Sequence, residues 1–225
     1  MVVLTLLGCI FAYITNCRLE AIQADRKGKI FALHHTLILF LPDKLPYNTL
    51  VSPVTVDNRT GASVSWREQV ANYYQGLNLD DTTDYSHLFR ASKYKNDNFT
   101  SYVAVVDKKT LWDENIRGMV LQANFAFDKI LLLEIDEKKI PWDSCQDYDI
   151  EAAMNLWNRE QKSRYVIPGS IFPKQDLMYV TIKGNIGFIS DFKTKEEFQS
   201  MLVLNDEESL ILEFFADASE LYNET

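Results

Sequence analysis

Seven carboxylates crowd one stretch of this sequence: Glu134, Asp136, Glu137, Asp143, Asp147, Asp149 and Glu151. Several oxygen ligands close together are what a hard cation takes, so calcium is the metal to consider. No EF-hand pattern is present, and runs of acids usually form a solvated face. No other metal and no organic cofactor is expected. The remaining reactive side chains form no nucleophile–base pair. Cys145 has no histidine near it in sequence, and neither Ser65 nor Ser101 sits in a Gly-x-Ser-x-Gly setting. Glycine is sparse, at 8 residues, and builds no phosphate loop. His34 and His35 are neighbours on a helix, point in different directions and suit a helix C-terminus better than a shared metal. A catalytic role is therefore not expected.

Two aromatic motifs carry more content. In Ser65-Trp66-Arg67, tryptophan and arginine suit a recognition patch. The structural reading is preferred: Trp66 anchors a small helix to the long one, and Arg67 pairs with a carboxylate or caps a carbonyl. The same preference holds for Pro141-Trp142.

These residues must be positioned by a chain of 225 residues, long enough for one domain with a real core beyond its N-terminal stem. Hydrophobic residues at 47% and charged residues at 24% are ordinary globular values. The net charge of -9 argues against nucleic acid and against anionic lipid headgroups as partners. Cys9 and Cys17 lie in or beside the stem, and Cys145 stands alone. No disulfide framework and no zinc spacing follows, so the cysteines do not decide the compartment.

Met1–Cys17 carries no charge and runs into an amphipathic stretch that lasts until Pro42, read as one long helix. Leu19, Ile22, the alkyl part of Arg26, Ile30, Leu33, Leu37 and Phe40 recur at steps of three and four, giving one buried face. The apolar run Val2–Ile14 is shorter than the roughly 20 residues of a spanning helix. It has no basic flank before it, unlike a cleaved signal. Continued to Ile22 it would span with thinning or tilt. Arg18, Arg26, Lys27 and Lys29 follow it, a bias that taken alone keeps the C-terminal side in the cytoplasm.

Downstream, Leu45–Gly61 reads as extended or looped. Ser63 caps a short helix to about Gln75, and 84–90 forms another. Tyr102–Val106 and Ile130–Ile135 are β-rich runs for a buried sheet. Asp149 caps a helix to about Asn158. Leu177–Ile182 and Ile186–Ser190 flank Lys183-Gly184-Asn185 as a hairpin, and Thr194 with Glu197 forms a capping box. The plan is α+β, with a long N-terminal helix packed on a small, mainly antiparallel sheet. Three regions are expected: a stem and amphipathic helix at 1–41, a head at 42–205 and an acidic helical tail at 206–225.

Several of these segments resemble one family in order and spacing. They are Ala32-Leu33-His34, Leu45-Pro46-Tyr47, Ser65-Trp66-Arg67, Thr100–Val106, Ile130–Glu134, Ile140-Pro141-Trp142 and the hairpin Ile182–Asp191. The family is the planctomycete pseudopilin-like proteins of undefined function, often labelled type II secretion protein G-like, with a prepilin-type N-terminal helix. The likeness covers roughly residues 30–205. It implies a pilin-like fold and singles out Trp66, Arg67, Tyr102, Glu134, Pro141, Trp142, Gly184 and Phe188 as family-motif residues, structural or interacting. It also implies a non-enzymatic envelope protein, held in the cell membrane as a single-pass protein by its helix, with its head outside the cytoplasm. Such a protein meets other envelope proteins or like subunits through that helix. Some secretion pseudopilins have a calcium-stabilised loop. The chain departs from the prepilin pattern: counted from Gly8, the position of the family's early glutamate holds Tyr13, and the first acid is Glu20. That departure favours an alternative, a membrane-tethered binding module that does not polymerise. A third reading, an envelope hydrolase, would need a pocket with convergent polar groups.

Overall fold

The computed structural model describes residues 2–40, 50–57, 60–77, 85–90, 98–113, 127–136, 140–163 and 176–210. Helix α1, Val2–His35, is 34 residues long, or about 51 Å at 1.5 Å per residue. Its buried positions Arg26, Ile30 and Leu33, continued by Leu37 just beyond its end, follow the expected steps of four and three, with Leu19 and Ile22 half-buried. The regular winding stops short of the expected end at Pro42 and passes into a π-helical turn, Thr36–Phe40. Thr36 contributes to that loosening: its hydroxyl donates to the Ala32 carbonyl at 2.9 Å and meets the Tyr74 hydroxyl at 2.8 Å.

Strands β1 (Val54–Val56) and β2 (Ser63–Ser65) pair as a small antiparallel ribbon; β1 lies in the stretch expected to be extended or looped, and β2 takes the residues where the short helix was expected to start. Helix α2 (Trp66–Leu77) follows at once. Its cap is Ser65, two residues later than the expected Ser63. The Ser65 hydroxyl accepts from Glu68 N at 3.2 Å, and the Glu68 carboxylate accepts from Ser65 N at 2.8 Å. This reciprocal box is legible as Ser-x-x-Glu. A 3-10 turn, Tyr85–Phe89, stands where a short helix was expected.

The main sheet has the order β3-β4-β5-β6, all antiparallel: β3 Tyr102–Val103, β4 Ile130–Glu134, β5 Met178–Thr181 and β6 Ile186–Phe188. α1 packs on β4 and β5. Helices α3 (Ile150–Ser163) and α4 (Lys195–Leu202) cover the other face. The two faces carry separate cores. Ile30, Leu33, Leu37, Trp66, Leu131 and Met178 pack on the α1 side. Val103, Leu133, Ala153, Trp157 and Phe198 pack on the α3–α4 side. All five residues of β4 are buried because both its faces are covered, which is why it reads as an unbroken apolar run. A register irregularity between Ile130 and Leu132 puts Leu131 and Leu132 into the same core, and the Leu131 carbonyl accepts from the Trp112 indole at 2.8 Å.

The 3-10 turn Ile189–Asp191 ends the run expected as strand to Ser190. Thr194 caps α4, accepting from Glu197 N at 3.1 Å, while Glu197 reaches past the cap to Lys193 N at 2.8 Å. Asn205 caps the helical turn at 206–210; the rest of the expected acidic tail, 211–225, and Leu45-Pro46-Tyr47 lie outside the described residues.

The β5–β6 hairpin forms as expected. Gly184 has φ +86°, and its N–H donates to the Thr181 carbonyl at 2.9 Å. An added Cβ there would also come within 3.1 Å of the His34 ring. Gly61, with φ +70°, has open space around it. Gly61→Ala therefore meets only the left-handed backbone penalty, about 1–2 kcal/mol, and Gly184→Ala should cost more by urea denaturation.

Candidate functional site

Four of the residues singled out in the sequence, Trp66, Arg67, Tyr102 and Glu134, meet in one buried network. Arg67, at the start of α2, is fully buried and passes under segment 144–147. Its guanidinium donates to the Asp147 carboxylate at 2.5 Å, to the Ser144 carbonyl at 3.0 Å and to the Gln146 and Tyr102 carbonyls at 3.2 Å each. Asp147, its side chain only 3% exposed, also accepts from Ala104 N at 2.8 Å and from the Trp66 indole at 3.1 Å. Burial pushes the Asp147 carboxyl up and the Arg67 guanidinium down from their usual ranges; the opposite charge of each works against that. Asp147 takes the Ala104 N–H, and β3 is only two residues long where a strand to Val106 was expected. Beyond it the chain runs beside Tyr148 instead, through a parallel bridge at Val105.

Tyr102 links this clamp to a second one. Its hydroxyl donates to the Arg26 carbonyl at 3.4 Å. Burial, and then the Glu134 charge, push this phenol well above its ordinary value, so it stays a donor. Arg26 of α1 and Glu134 of β4 form a fully buried ion pair. Arg26 Nε donates to Glu134 Oε1 at 2.7 Å, Nη2 donates to Oε2, and Nη2 also reaches the Asp176 carbonyl at 2.6 Å. Glu134 Oε2 further accepts from Met178 N at 3.0 Å. Burial lowers the Arg26 pKa, and the hydrogen bond and charge of Glu134 more than offset it, so the net shift is upward.

Trp66 is packed among aromatic rings, 5.9 Å from Phe89 and 5.7 Å from Trp112 between centroids, with the Arg67 guanidinium 4.7 Å over its own ring. Trp142 stacks on Phe89 at 5.8 Å, and Pro141 bridges to Phe99. Gly184 and Phe188 stand apart from this network, on the hairpin that flanks α1. There His34 Nε2 donates to the Ile182 carbonyl at 2.9 Å, and Lys27 lies 5.8 Å over the Phe188 ring.

The acidic stretch is distributed among different tasks. Glu134 holds Arg26, Asp147 holds Arg67 and Asp136 pairs with Arg159 at 2.5 Å. Asp149 caps α3 as expected, accepting from Ala152 N at 2.7 Å. Asp143 and Glu151 are exposed, and Glu137 lies outside the described residues. Among the described residues no three His, Cys, Asp or Glu side chains gather as a metal site. Among the described residues, one surface depression is lined by Tyr148, Ala152, Asn155, Leu156 and Arg159, and another runs along α1 past Phe11, Ile14, Thr15, Arg18, Leu19 and Ile22.

Two functional contacts escaped the sequence reading. Arg26 was read for its alkyl part, yet a charge at a buried-stripe position announces a buried partner. His34 stands in the last turn of α1 as expected, and its ring also clamps the hairpin. Comparison with known proteins finds no family model that matches the chain, and no curated protein or solved structure similar to it.

Removing one member of the Arg26–Glu134 pair leaves a buried charge. Arg26→Met should cost about 3–5 kcal/mol, and adding Glu134→Leu should recover part of the summed loss in a urea double-mutant cycle. The pH dependence has a separate source. Burial holds the His34 pKa below its ordinary 6.5, and Nδ1 has no hydrogen-bond partner. The folded chain keeps this ring neutral, while the unfolded chain protonates it near 6.5. The contribution is therefore full above pH 6.5 and lost as pH falls below it toward the depressed value. Melting temperature should decline over that window in the wild type, and less in His34→Gln, which keeps a donor for the Ile182 carbonyl.

Proposed function

We propose that this chain is a non-enzymatic, pseudopilin-like envelope protein, attached by its N-terminal helix and working through assembly or protein–protein contact. One observation carries the reading. The C-terminal part of α1 is bolted to the sheet through Arg26, Ile30, Leu33 and Leu37, while Ile10, Phe11, Tyr13 and Ile14 on its N-terminal part are exposed, each by 47% or more. A large apolar surface on a rigidly held helix is an attachment surface. Among the described residues no helix is long and apolar enough to cross a membrane. Attachment in this reading is by insertion of the apolar part or by burial against other proteins. The polar side chains of the family motifs support a scaffold role, because their partners are backbone and ion-pair groups of the fold itself.

A second reading is the tethered module that does not polymerise, supported by Tyr13 at the place of the family's early glutamate. In both, the head lies outside the cytoplasmic membrane. Protease accessibility of a tag after Thr225 in spheroplasts tests that placement, and protection of the tag together with a cytosolic marker would reverse it.

The attachment surface is tested by Phe11→Glu with Ile14→Glu. Both side chains are exposed, so the melting temperature should hold within a few degrees. The full chain should sediment as an assembly or float with lipid vesicles, and the variant should do neither. A wild-type chain that is monomeric and does not float would refute attachment through α1.

A further inference from the structure

The face of α1 that points away from the sheet has its own register. Ile10, Ile14, Cys17, Ala21, Ala24, Gly28 and Phe31 recur at alternating steps of four and three, and His35 continues them. All but the half-buried His35 are exposed, and Gly28 has nothing within 4 Å of where a Cβ would stand. This is a heptad seam in positions a and d, kept up over roughly 39 Å of helix. It lies opposite the buried stripe of Arg26, Ile30, Leu33 and Leu37, so the head does not cover it.

The charges beside the seam select both partner and direction. Arg18 and Asp25 occupy e positions, and Glu20 and Lys27 occupy g positions. In a parallel pair of such helices, g faces e of the next heptad, which sets Glu20 against Asp25 of the other copy twice over. In an antiparallel pair, g faces g and e faces e. Glu20 then meets Lys27, and Arg18 meets Asp25, each twice by symmetry. We propose that α1 self-associates through this seam as an antiparallel, two-fold symmetric pair, its second copy being another molecule of this chain.

The core layers agree with that direction. Ile14 packs against Phe31 of the other copy, Cys17 against Gly28, and Ala21 against Ala24, while Ile10 meets His35. The small residues fall together at the centre, where the backbones approach most closely, and the large ones at the ends. Phe11 at e falls opposite Ala32 of the other copy, so no charge is buried against an apolar side chain there. Asp25 already has Lys29 at 3.2 Å in its own helix, and Arg18 of the other copy is its second counterion. A two-fold arrangement closes on itself and leaves no open end to extend. The inference rests on the reading of α1 as the assembly surface and names its partner and geometry.

The test is sedimentation equilibrium of the full chain without lipid, at low salt, with three charge variants. Glu20→Lys turns two attractive pairs into repulsions, so the dimer should weaken about tenfold. Lys27→Glu should do the same, and the two together should restore wild-type association. Direction is read separately in a Cys9→Ser, Cys145→Ser background. There Gly28→Cys should give a disulfide-linked dimer that is lost when Cys17→Ser is added. Circular dichroism confirms that each variant folds. Three results would overturn the proposal: a monomer at every concentration, tighter association of Glu20→Lys, or a Cys17–Cys17 cross-link between copies. A monomer whose apolar stem still floats with vesicles would remove this inference and leave the attachment reading standing. A monomer that does not float would remove both.

Discussion

The buried pair of Arg26 and Glu134 fixes where α1 sits on the sheet. Two opposite charges taken out of water cost several kcal/mol each, and their mutual attraction offsets that only when geometry and further hydrogen bonds are complete. Here they are: Arg26 also reaches the Asp176 carbonyl, and Glu134 also takes the Met178 amide. The pair thereby joins α1, β4 and the entry to β5. Such a pair specifies position more than it adds stability. An apolar stripe alone would let α1 slide by a turn along the sheet; a buried charge with one matching partner does not.

The second pair, Arg67 and Asp147, applies the same constraint to the other end of the domain. It ties α2 to segment 144–147 and, through the Tyr102 and Ala104 backbone, to the edge of the main sheet. Tyr102 touches both pairs, so the two clamps share one rigid strand. The consequence for function is a division of labour along α1. From Arg26 onward one face of the helix belongs to the head. Before it, Ile10, Phe11, Tyr13 and Ile14 are exposed, and on the opposite face the exposed residues continue to Phe31.

Much of this was legible in the residues. The stripe on α1, the apolar run of β4, the Lys183-Gly184-Asn185 turn and the caps at Asp149 and Thr194 all obey local rules, and each sits where those rules place it. The misreadings share a cause. Tyr102–Val106 has the composition of a five-residue strand, but Asp147, some forty residues on, takes the Ala104 amide out of the ladder. Ser63 and Ser65 both lie in β2, and Ser65 is the cap because Glu68, three residues on, completes its reciprocal box. The acidic stretch reads as one cluster along the chain, yet Glu134 and Asp147 each turn inward to a different arginine.

The sequence by itself determined which side chains face inward, because periodicity is a local property that a helix or strand converts directly into a face. It also determined the turn at Gly184, where the backbone needs a residue free to take positive φ. Only the tertiary structure decided which inward-facing charges meet. Arg26 and Glu134 are separated by 108 residues, and Arg67 and Asp147 by 80. No local rule joins positions so far apart. Their pairing exists because α1 and α2 share one core against the main sheet, which brings Arg26 to Glu134 on β4 and Arg67 to Asp147 in segment 144–147.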